Sequence, residues 1–73
     1  MNQRRPWHQR VGPARRRLTR AERYYERALD YYTRGRLDDA LADLDAALAE
    51  APRHAEITAA RGLVLLQQGY DDD

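Results

Sequence analysis

Cysteine is absent from this 73-residue chain, so no disulfide can staple it and no thiol can act as nucleophile, metal ligand or redox centre. Nowhere does an uninterrupted apolar run approach the roughly 18 residues that a membrane-spanning helix needs. The opening MNQRRPWHQRVGPARRRLTR contains no apolar segment of the kind a secretory signal requires, and it lacks the serine that organelle-targeting sequences favour. A cytoplasmic protein is the expectation. Groupings that carry catalysis are missing as well. His8 and His54 are the two histidines, far apart in the chain, and no carboxylate constellation joins them into a triad or a metal site. Asp71, Asp72 and Asp73 lack the glycine and glutamate of a calcium loop and read as solvated charge. No enzymatic activity, metal or cofactor is therefore expected.

Acidic residues are also absent from the first twenty positions, where Arg4, Arg5, Arg10, Arg15, Arg16, Arg17 and Arg20 stand. That segment carries a formal +7. From residue 21 onward six arginines face twelve acids, which leaves −6 and a net +1 for the chain. A basic arm is attached to an acidic body. Pro6, Gly12 and Pro13 interrupt residues 1–17, which show no apolar period and are expected to be a disordered arm. Arg4, Arg5, Arg10, Arg15, Arg16 and Arg17 are candidates for binding anions, either nucleic-acid phosphates or an anionic surface, with Trp7 available to stack on a base. No nucleic-acid-binding motif accompanies them, and short basic tails commonly serve solubility alone.

What is present reads as one small helical domain, with 34% charged and 42% hydrophobic residues. A chain of this size buries only about 60% of its unfolded surface, so its stability is marginal unless something is added. Thr19 and Glu22 have the spacing of a capping box, which opens a first helix that Gly35 closes. Leu37, Ala40, Leu41, Leu44, Ala47, Leu48 and Ala51 form one apolar stripe of a second helix. Asp38, Asp39, Asp43 and Asp45 lie outside that stripe, on the side expected to face water, and Pro52 ends the run. A third helix is expected from about His54 to Gln68, closed by Gly69, with His54 opening it. It is apolar around most of its circumference.

Moved forward by 34 residues, AERYYERALDYYTRG (21–35) falls on AEITAARGLVLLQQG (55–69). Five positions are identical, and Ala28 meets Gly62. A 34-residue period of helix-turn-helix content resembles the tetratricopeptide repeat. Tyr24, Ala28 and Tyr31 match the first-helix pattern of that family, and Ala40, Leu44, Ala47 and Pro52 match the second. One departure is Arg27, where the family usually has a large apolar residue. The resemblance covers one repeat (21–54) and half of another (55–69), within a helical domain of residues 18–70 followed by an acidic tail, 71–73. It implies an all-α fold, an antiparallel helical hairpin plus a third helix.

It implies a function too, namely holding protein or peptide partners in a concave groove. Carried over residue by residue, that groove is lined by Tyr25, Leu29, Tyr32, Leu63, Leu66 and Gln67, and its apolar and aromatic character suits an apolar partner such as an amphipathic helix, or the chain's own basic arm. The alternative is that these side chains simply pack within the domain. Ala28, Ala47 and Gly62, lacking bulk, are expected to let helices approach closely. Arg23, Arg27, Asp30 and Arg34 give the first helix a charged stripe. The corresponding Ile57, Arg61, Val64 and Gln68 are partly apolar, which marks Ile57 and Val64 as a face for an oligomer or partner. Self-association through the third helix, docking on a larger repeat protein, a fragment of a longer repeat chain, and nucleic-acid binding by the arm are the readings that follow.

Overall fold

In the computed structural model, residues 17–71 are described, and they form three α-helices with no strand among them: α1 (Arg20–Thr33), α2 (Leu37–Glu50) and α3 (Ala55–Asp71). The arm residues Arg4, Arg5, Arg10, Arg15 and Arg16 lie outside this range, as do Asp72 and Asp73.

The start of α1 is set by chemistry local to the sequence. Glu22 N–H donates to Thr19 Oγ1 at 3.1 Å, and Thr19 N–H donates to Glu22 Oε1 at 2.8 Å. Both halves of the capping box are thus in place, and two backbone donors that the helix leaves over are satisfied. Its end is a Schellman motif. Gly35 takes φ 76°, its N–H donates to Tyr32 O, and Arg36 N–H donates to Tyr31 O at 2.9 Å. The Arg36 guanidinium then lies over the Tyr31 ring, 5.1 Å from its centroid. This reverses the chain within the three residues 34–36 and lays α2 antiparallel against α1.

Helix α2 is the centre of the fold, since it packs against both α1 and α3. It buries Ala40, Leu44 and Ala47, which join Ala21 and Ala28 of α1 and Ile57 and Val64 of α3 in one cluster. Four alanines bring the backbones close, as expected for Ala28 and Ala47, and Leu44 and Ile57 are the largest side chains fully enclosed. Tyr24, Tyr25, Tyr31, Tyr32, Leu37, Leu41 and Leu48 are half-buried around them.

Four expectations need correction. Ile57 and Val64 are not an open face: they are 0% and 2% exposed, because the sector of α3 that carries them is the one α2 covers. Gly62 does not mediate a close approach, for it is exposed, and a Cβ added there would meet nothing within 4 Å. Gly69 does not end α3, which continues through Tyr70 to Asp71. Glycine permits a left-handed turn without enforcing one, and only Gly35 takes positive φ among the described residues. Pro52, grouped with the repeat core, is exposed in the α2–α3 turn, where it follows Ala51 and prevents further helix.

Asp43 also departs from the reading that all four aspartates face water. It is buried, at 6% exposure, and the Arg27 guanidinium reaches it from α1 with two parallel bonds, Nε–Oδ2 at 2.7 Å and Nη2–Oδ1 at 2.8 Å. The planar fork of Arg27 is thus matched across the helix contact by a carboxylate that accepts both of its bonds.

Candidate functional site

Helices α1 and α3 run in the same direction on one side of α2, and the shallow groove between them is where most of the proposed partner residues gather. At one end the Tyr25 ring faces the His54 ring, with centroids 6.4 Å apart. At the other, Tyr32 and Gln67 line a shared depression with Thr33, Gly35, Leu37 and Asp71. Tyr25, Tyr32 and Gln67 are half-buried, whereas Leu29, Leu63 and Leu66 are exposed, the last two by 50% and 54%. Of the six groove residues, the structure brings Tyr32 and Gln67 together in one depression and sets Tyr25 beside His54. Tyr25 and Tyr32 pack against the core, whereas water reaches the three leucines.

His54 directly precedes α3. Its carbonyl accepts from Thr58 N–H at 3.1 Å and from Thr58 Oγ1 at 3.2 Å, so its backbone opens the helix as expected. Its ring Nδ1 is enclosed and has no hydrogen-bond partner. The Tyr25 ring lies beside it, and no hydrogen bond to Nδ1 orients the imidazole. Among the described residues, no three of His, Cys, Asp or Glu stand close enough to hold a metal ion, and no helix is long and apolar enough to cross a membrane.

Charge is distributed unequally over the surface. On α1 and at its turn, Asp30 pairs with Arg34 at 3.3 Å and Arg36 pairs with Asp39 at 2.6 Å. Arg23 donates to Leu18 O, and with Arg20, Tyr24, Glu26 and Arg27 it borders a shallow depression near the helix start. Of the arm cations, Arg17 alone lies in the described range, and it is exposed. The pKa of Arg27 is raised above the ordinary arginine value, first by its hydrogen bond to Asp43 and then by the charge of that carboxylate.

The outer half of α3 contrasts with all of this. Thr58, Ala59, Gly62, Leu63, Leu65, Leu66, Gly69 and Tyr70 are exposed, and none is charged. At about 100° per residue these eight positions sweep a continuous arc of roughly 160°. The sequence contained this arc, and moving the α1 contacts forward by 34 residues would have located it: Tyr24, Ala28 and Tyr31, which pack toward α2, become Thr58, Gly62 and Leu65.

No protein-family model, curated protein or solved structure matches the chain.

Proposed function

We propose that the chain is a non-enzymatic protein-interaction module of the tetratricopeptide type, which takes an apolar partner through the α1–α3 groove and the outer half of α3. The observation that carries this is the uncharged, exposed arc from Thr58 to Tyr70. In a chain with 34% charged residues, a contiguous apolar surface of this breadth marks a contact face, because exposed apolar area in water is a cost that association removes. Leu29, Leu63 and Leu66 supply the burial energy in the groove, and the half-buried Tyr25 and Tyr32 give it rigid walls that need no reordering on binding.

A peptide library displayed against the immobilised full-length chain tests this reading. Apolar, helix-forming sequences should be enriched, and a Leu63→Glu/Leu66→Glu variant should abolish the enrichment. Because both leucines are exposed, the variant should keep its helical spectrum. Equal recovery on the two proteins, or none above a scrambled library, would refute the reading.

A further inference from the structure

Helix α3 repeats α1 at an offset of 34 residues, and α1 shows what its own contact face holds: Ala28, 1% exposed, with α2 packed across it. The equivalent face of α3 is empty. Gly62 has open space where a Cβ would be, Gly69 has the same, and Leu65 is 41% exposed. Openness alone does not say what fits there, but the flanking arginines do.

Arg27 and Arg61 are equivalent under the same offset. Arg27 uses Nε and Nη2 together on the two oxygens of Asp43, the carboxylate of the helix packed on its face. Arg61 engages Asp45 through Nε alone, at 2.6 Å, and no other carboxylate meets it among the described residues. It stands at the edge between the α2-covered sector and the open arc, with its side chain 40% exposed, so its Nη groups remain available to a newcomer. An incoming helix that repeats the relation of α2 to α1 would bring a carboxylate to that position.

We propose that this face of α3 receives an amphipathic helix of the α2 kind from another polypeptide, with alanine and leucine on one stripe and a carboxylate placed to meet Arg61. The proposal rests on the protein-interaction reading and adds the partner's chemistry. A second copy of the chain fits less well. The open arc carries no acid, and two α3 helices meeting about a two-fold axis near Gly62 would bring their Arg61 side chains together as like charges.

Helix α2 itself supplies the probe. A fluorescein-labelled peptide with the sequence of residues 36–51, stapled between positions 45 and 49 to hold it helical, is titrated with the full-length protein and followed by anisotropy. Saturable one-to-one binding is expected. Asp43→Asn in the peptide and Arg61→Gln in the protein should each weaken it about two- to fivefold, as for a partly exposed ion pair. Gly62→Glu, which fills the face, should weaken it by more than about tenfold, and the space around Gly62 lets that variant fold normally, as far-UV circular dichroism would verify. Leu63→Glu, at the groove edge of the arc, should weaken binding less than Gly62→Glu does.

Absence of saturation up to about 500 µM protein would overturn the proposal. Indifference to Gly62→Glu combined with sensitivity to Leu63→Glu would place the helix in the groove, sinking this assignment while the interaction reading stands. A dimer of the protein alone, seen by sedimentation and abolished by Gly62→Glu, would show that a second copy occupies the face and would also overturn the proposal.

Discussion

Leucine introduced at position 28 and leucine introduced at position 62 should change stability in opposite directions, although the two sites are equivalent in the repeat. Ala28 is 1% exposed where α1 meets α2. Three added carbons there must push the helices apart or adopt strained rotamers, which costs about 1–3 kcal/mol. Gly62 lies in the same frame on α3, but its Cβ would meet nothing. Gly62→Leu therefore gains the difference in helix propensity, about 0.7 kcal/mol, with no packing penalty. At about 0.05–0.15 kcal/mol per residue, the 55 described residues have only about 3–8 kcal/mol in total, so the first change removes a large share of it. The corresponding shifts in Tm are a fall of roughly 5–20 °C for Ala28→Leu and a rise of about 3–5 °C for Gly62→Leu. Thermal and urea melts followed at 222 nm measure both. A fall in Tm for Gly62→Leu comparable with that for Ala28→Leu would mean that the outer face of α3 is already covered in the isolated protein. That would refute both the open face and the functional reading built on it.

Ile57→Ala should cost about 2–5 kcal/mol because the side chain is wholly enclosed, enough to leave much of the protein unfolded at 25 °C in a urea titration, whereas Leu66→Glu should shift the midpoint hardly at all. Thr19→Ala removes one half of the capping box and should lower stability by about 1 kcal/mol, read in the same melts. Asp43→Ala should destabilise much more than Asp45→Ala, since Asp43 is buried and held by two bonds while Asp45 is exposed and held by one; equal effects would show that the Arg27 contact has no special weight. The folded pKa of Arg27 is raised, so its contribution is fully present below the unfolded arginine value and is lost only as pH rises through the higher folded one. Melts between about pH 7 and pH 10 should accordingly show no loss attributable to this pair.

Signals confined to a few neighbouring residues were readable in the sequence. Thr19 with Glu22 started α1, Gly35 ended it, and Pro52 separated α2 from α3, because each depends on backbone groups within four or five positions. What escaped depends on contacts between helices. Asp43 lies outside the leucine stripe of α2, and periodicity alone consigns it to water. Only its pairing with Arg27, sixteen residues earlier, draws it inside. Arg27 was visible as a departure from the repeat pattern, but the departure could not name its partner. For α3, a helix apolar nearly all round offers several sectors of similar hydrophobicity. Its period cannot say which one a neighbour covers, and in the structure it is the sector of Ile57 and Val64 that α2 encloses. Gly69 shows the limit of reading a breaker: the same residue type that turns the chain at position 35 is carried within a helix at position 69.

Thinness of the core connects stability to the proposed binding. Of the seven apolar residues that are fully buried, four are alanines, so close helix contact is achieved with little apolar volume. Much of the remaining apolar surface is split between half-buried tyrosines on α1 and exposed leucines on α3. Small helical arrays gain stability chiefly at the interfaces between neighbouring helices, and here α2 has two such neighbours while α3 has one large contact and an empty flank. A helix bound on that flank would give α3 the second neighbour that α2 already has. Its binding free energy would add to folding as RT ln(1 + [L]/Kd), about 2.7 kcal/mol at a hundredfold excess over Kd, which is comparable with the stability of so small a domain. On the proposed reading, ligand occupancy and folding would be coupled, and the surface left open in the free protein would be the one through which a partner stabilises it.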